Sequence, residues 1–333
     1  MDAKSARKLR QLKSDFEKVE GRTFRHFFCP ILFKDEDTPL CKAHIVNAAF
    51  KGLPKHWTIQ RKDVDGFYGA FFESEFLDIR HRGRRADEVI ADKSLSSRFK
   101  PKIVVDGTPV QYYSPGRKLP RHHSLVAIEG SFGSVRLALK VRPSQMKKLA
   151  KAKWQLGFEK DLRVPALVSF LKMAHLTLFD LLGYEYALSA GGHFLGRVIL
   201  GDFYVANSGG SRQDVLASAT PHFRRFAGMW RPMPESPANK TLKGTIQDGQ
   251  VFLCMQGDII WGIVVLVRTP FSLNGVLAPI FDVVEGAVRF LNILEGPEER
   301  IVARQARFER DHWDVSTEES VLIWPKTGVL YPE

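Results

Sequence analysis

The chain has 333 residues, 44% apolar and 26% charged, which provides for a sizeable buried core and excludes a wholly disordered or fibrous protein. Its formal charge of +12 is unevenly placed: residues 1–160 carry 33 Lys and Arg against 18 Asp and Glu, the remainder 16 against 19. A basic half of this kind draws polyanions at long range, and a nucleic acid or an anionic surface is the partner class it implies.

Taken in chain order, residues 3–20 combine helix formers with Ala6, Leu9, Leu12 and Phe16 spaced three or four apart, and Gly21 supplies a stop. The pattern predicts an amphipathic helix, and the absence of an apolar core behind its basic residues argues against a secretory leader. From Arg22 to Trp57, short apolar runs are broken by Asp35-Glu36-Asp37, Pro39 and Gly52-Leu53-Pro54, so a hairpin around the acidic turn is expected. Asp63 to Leu77 then gathers Phe67, Tyr68, Phe71, Phe72 and Phe76 at intervals that place most of them on one helical face. Strand, strand, helix is the predicted order.

Residues 80–124 hold the basic runs RHRGRRADE, SRFKPK and SPGRKLPRHH around one β-like segment, Ile103 to Val105. Leu125 to Arg142 reads as paired strands, and Lys147, Lys148, Lys151 and Lys153 mark a surface helix or linker with a domain boundary near residue 150. Asp161 and Pro165 open a helix over Val164 to Leu182 that ends at Gly183. Tyr184 to Ser189 and His193 to Leu200 read as strands, and Val251–Met255 with Asp258–Val267 as a hairpin turning at Gln256-Gly257. The longest apolar run, Ile259 to Val267, is too short to span a bilayer as a helix, so no membrane partner is expected. Three scattered cysteines make no disulfide framework and fit a reducing cytoplasm.

Ligand-type residues concentrate between Cys29 and Phe76. On a strand over Leu40 to Val46, side chains alternate, so Lys42 and His44 share a face. An imidazole presented in a basic domain can take a proton from water near neutral pH. Cleaving a phosphodiester also calls for a divalent cation against the phosphate, Mg or Mn, and Asp63, Asp65, Glu73 and Glu75 are the carboxylates at hand. Zinc is a competing use of the same imidazole: His26-x2-Cys29-x11-Cys41-x2-His44 offers two knuckle-like pairs, and a metal on His44 would remove the base. Cys29 and Cys41 equally suit a plain buried role. Lys42, Arg61, Arg82, Arg84, Arg85, Arg117, Lys118 and Arg121 are the candidate phosphate contacts. Further on, Lys172 and His175 are neighbours on the strong helix, but their surroundings, Leu171, Ala174, Leu176 and Phe179, favour a packed histidine over acid–base chemistry.

The run Leu40-Cys41-Lys42-Ala43-His44-Ile45-Val46, with an aromatic helix-like segment about twenty residues on, resembles the ββα-metal core of HNH endonucleases over residues 29–76. The resemblance implies a hairpin that presents His44 as general base and a following helix that supplies metal ligands, acting on nucleic acid, DNA in the first instance. Ala43 stands where the family usually has an acid or histidine, Asn47 where it has proline, and Gly66 where it has asparagine; Glu75 lies near its final histidine. Asp65 with Glu73 or Glu75 would then hold the metal. The architecture expected overall is α+β: a helix over 1–25, an HNH-like ββα module over 26–80, a basic β-rich extension over 81–150 and a mixed α/β C-terminal region over 151–333. A metal-dependent endonuclease is the function this implies, and a non-catalytic nucleic-acid-binding protein with a zinc-stabilised or degenerate module is the alternative.

Overall fold

The structure, a computed structural model, describes residues 2–46, 56–74, 101–105, 108–113, 125–129, 135–139, 154–158, 163–206, 211–233, 250–268, 273–280, 284–295, 299–309 and 312–324. The chain is α+β and divides into two compact units, Met1–Arg80 with Arg163–Glu333, and His81–Leu162.

Helix α1 (Ala3–Glu20) forms where the spacing predicts it. The Asp2 carboxylate caps it by accepting from the Ser5 N–H at 2.9 Å, and Gly21, at φ 67°, ends it in the left-handed conformation glycine favours. Its inner face buries Leu12 and Phe16, the latter edge-on to Phe24 and Tyr184. Strands β1 (Leu40–His44) and β2 (Trp57–Arg61) pair antiparallel with Leu40 opposite Arg61 and His44 opposite Trp57. The acidic turn expected to close this hairpin instead lies before it. There Phe28 bridges Asp35 around a tight turn, and the Asp35 carboxylate accepts from the backbone N–H groups of Arg25 and His26. Helix α2 (Lys62–Tyr68) starts directly after β2 and continues into a π-helical turn (Gly69–Glu73), burying Val64, Phe67, Tyr68 and Phe72.

The centre of this unit is α3 (Arg163–Ala187), which is apolar on every side and packs against α1, the π-helical turn, α4 (Ala190–Ala206) and α5 (Arg212–Arg224). Val164–Ala187 is long and apolar enough to cross a membrane by length and composition, yet in this fold most of it lies inside the protein. The segments Tyr184–Ser189 and His193–Leu200, expected as strands, mostly belong to α3 and α4. Their β-branched and glycine content lowers helix propensity, but tertiary packing overrides it: a Cβ at Gly191 would sit 2.1 Å from the Pro279 carbonyl oxygen.

Beyond the helices lies a six-stranded antiparallel sheet in the order β13-β12-β9-β10-β11-β8, built from β8 (Trp230–Met233), β9 (Gln250–Gln256), β10 (Ile259–Arg268), β11 (Leu273–Pro279), β12 (Glu299–Glu309) and β13 (His312–Trp324). The β9–β10 hairpin turns at Gly257, as its sequence predicts. Helix α6 (Val284–Glu295) packs on β10.

In the second unit, β3 (Pro101–Val105), β4 (Thr108–Tyr113), β5 (Leu125–Glu129), β6 (Val135–Leu139) and β7 (Trp154–Phe158) form a sheet in the order β6-β5-β4-β3-β7. Only β4 and β5 run parallel. Because β7 pairs with β3, this unit runs past the boundary expected near residue 150.

Candidate nucleic-acid interface

The two faces of the β1–β2 hairpin differ in character because side chains alternate along each strand. Lys42 and His44 project to the exposed face, whereas Ala43 is buried and Cys41 half-buried on the other. Lys42 Nζ lies 4.8 Å from the centroid of the Trp57 ring and 2.5 Å from the Asp2 carboxylate. That lysine and the capped N–H and hydroxyl of Ser5 hold the Asp2 carboxyl well below the usual carboxylate range. Asp2 therefore joins the start of α1 to the exposed face of the hairpin.

Helix α1, whose start is joined to that face through Asp2, is basic along its N-terminal half. Lys4, Arg7, Arg10 and Lys13 are exposed, and no acidic residue occurs between Ala3 and Ser14. Cations at a helix N-terminus oppose its dipole, so this placement works against helix stability while concentrating positive potential there. The sequence shows these residues plainly; what it does not show is that the start of the helix meets the hairpin, which comes from the Asp2–Lys42 contact.

Behind the hairpin, the residues expected to hold a divalent ion meet a lysine. Lys172 of α3 donates to Asp65 Oδ1 at 2.9 Å and to Glu73 Oε1 at 2.6 Å. Its side chain is 3% exposed, against 30% for Asp65 and 16% for Glu73. Burial by itself would lower its pKa, but the charges of Glu73 and Asp65 outweigh burial and raise it, so the ammonium persists. Tyr68 contributes its ring 5.7 Å from the same nitrogen, and the second Asp65 oxygen lies 3.8 Å from Cys41 Sγ. Eight residues of regular α-helix would rotate Glu73 about 80° away from Asp65; the extra residue of the π-helical turn brings the two nearly into line. Asp65 and Glu73 as they stand do not fit a divalent ion, because an ammonium already bridges them. Among the described residues no three His, Cys, Asp or Glu side chains converge as a metal group. Glu75, the third carboxylate expected here, lies outside the described residues.

The zinc set is likewise not assembled. Cys41 and His44 point to opposite faces of β1, and His26 turns to Asp37 at 3.6 Å. The buried Cys29 thiol donates to Gln60 Oε1 at 3.2 Å and accepts from the Leu32 N–H at 3.4 Å. Burial pushes both the Cys29 and Cys41 thiols up to about 11.

Arg61, expected to reach phosphate, is instead a buried structural cation. Its guanidinium donates to Glu36 at 2.5 Å and to Asp63 at 2.7 Å, fastening the end of β2 to the start of α2. Arg82, Arg84, Arg85, Arg117, Lys118 and Arg121 lie outside the described residues. His175 is a packed histidine, bonded to the Pro30 carbonyl at 3.0 Å and to the Tyr186 hydroxyl at 3.1 Å.

Lys172 is the residue whose part sequence reasoning did not find. The signal was present: a charged side chain between Leu171 and Met173 in an otherwise apolar helix must meet opposite charge when buried. Comparison of the chain with protein-family models, with characterised proteins and with solved structures gives no match.

Proposed function

We propose that the chain is a nucleic-acid-binding protein built on an HNH-like ββα module that holds its ligand rather than cutting it. The observation that carries this is the face on which exposed Lys42 and His44, with the half-buried Trp57 ring, adjoin the start of the acid-free half of α1. Lysine and arginine side chains position phosphates, and an aromatic ring beside a cation offers a stacking platform to an unpaired base. The lysines and arginines here are placed to meet phosphate, so binding is expected to depend on charge and strand form more than on sequence.

Fluorescence anisotropy with labelled single- and double-stranded DNA, across a salt series, tests it. Micromolar or tighter binding that weakens steeply with salt is expected, and the Lys4→Glu/Arg7→Glu/Arg10→Glu variant should bind at least about tenfold more weakly with a shallower salt slope. Binding that ignores both salt and these substitutions would defeat the proposal.

A second reading, metal-dependent endonuclease, is favoured by one observation: His44 is exposed on the last residue of β1, in a strand-strand-helix order. The chain's own part would be removal of a proton from water by the His44 imidazole. Plasmid nicking with Mg²⁺ or Mn²⁺ that disappears in His44→Ala would establish it.

A further inference from the structure

The disagreement between the HNH-like order of elements and the Asp65–Glu73 pair has a definite chemical form. Two carboxylates two turns apart on one continuous helical segment converge, and the group between their oxygens is a side chain from α3 rather than a space. We propose that Lys172 is the resident cation of this module: its ammonium takes the seat between Asp65 and Glu73 and closes it to divalent ions.

Three features support the assignment. The lysine is more deeply buried than either carboxylate, so the charge is delivered from inside the protein while the acids keep a face toward solvent. Both carboxylates contribute one oxygen to the same nitrogen, at 2.9 and 2.6 Å, which is convergence on one cation rather than two unrelated pairs. The π-helical turn, a rare departure from regular helix, is what aligns Glu73 with Asp65. A seat with charge −2 attracts a divalent ion strongly; with the ammonium in it, the cluster retains charge −1 and loses an inward-facing oxygen from each acid. Lys172 cannot simply step aside, because it would leave a buried charge without its partners.

The role depends on the ββα reading above only for the expectation that a cation belongs here. Its test uses no nucleic acid, so failure of DNA binding leaves it standing, and its own failure leaves DNA binding untouched. Mn²⁺ is titrated into the full chain and free Mn²⁺ is followed by electron paramagnetic resonance, for wild type, Lys172→Met, Lys172→Gln and Lys172→Met/Asp65→Asn/Glu73→Gln. Circular dichroism and thermal unfolding identify which variants are folded; Gln replaces the ammonium with a neutral donor should Met fail to fold. Wild type is expected to show no stoichiometric site. A folded variant lacking the ammonium should take up one Mn²⁺ per chain at least about tenfold more tightly than wild type, and the triple variant should lose it. Stoichiometric binding by wild type that Asp65→Asn abolishes would overturn the proposal, as would a folded Lys172→Met or Lys172→Gln protein that binds no better than wild type.

Discussion

The side chains around Lys172 are not interchangeable in what their loss costs, because they differ in access to water. Asp65 and Glu73 are partly exposed and can be hydrated if the lysine is removed, whereas the lysine, almost wholly enclosed, cannot be hydrated if the acids are removed. Asp65→Asn/Glu73→Gln should therefore lower stability by about 3–5 kcal/mol in chemical denaturation, and Lys172→Met by less than about 2 kcal/mol. Equal losses would mean that the acids are as dependent on the pair as the lysine. His175 makes a second residue-level prediction. Burial drives its pKa down to about 4, so the folded protein keeps it neutral between that value and its ordinary 6.5, while the unfolded chain is protonated. The unfolded state then binds more protons, and stability falls as pH drops from about 6.5 toward 4, by roughly 3 kcal/mol from this group. Unfolding midpoints measured across that range should flatten in His175→Gln relative to wild type.

At the scale of elements, the junction inside α3 ties the N-terminal helix to the core. Gly183 adopts φ 61° and ψ −140°, and a Cβ there would lie 1.9 Å from the Asp15 carboxylate, which accepts from the Tyr184 N–H. Gly183→Ala combines backbone strain with displacement of that carboxylate, and a loss of at least about 2 kcal/mol is expected in thermal or denaturant unfolding. An unchanged midpoint would show that α1 is not held through this contact. The same region separates what the sequence made legible from what it did not. Helix α1 announces itself by apolar spacing and the Gly21 stop, and the β9–β10 hairpin by alternation around Gln256-Gly257. Helix α4 does not, since its glycines and β-branched residues mimic a strand and only close packing on neighbouring backbone explains them. The site was half legible for a related reason. The face shared by Lys42 and His44 follows from period-two alternation, but Lys172 lies more than a hundred residues from Asp65 in sequence, and the pairing of Arg61 with Glu36 is equally a product of tertiary folding.

For the molecule as a whole, charge supplies the long-range argument and the module supplies the local one. The excess of Lys and Arg in residues 1–160 predicts attraction to polyanions. The N-terminal half of α1, joined to the hairpin at Asp2, is one place where that excess is displayed, against the preference of the helix dipole. What distinguishes holding nucleic acid from cutting it is whether a divalent ion can serve the module while Lys172 bridges Asp65 and Glu73. The most direct measurement incubates wild type, Lys172→Met and His44→Ala with supercoiled plasmid in Mg²⁺ or Mn²⁺, with mobility shift and strand scission read from the same samples. Wild type should retard the plasmid in a salt-sensitive manner and leave it supercoiled; nicking by wild type that His44→Ala abolishes would contradict the account.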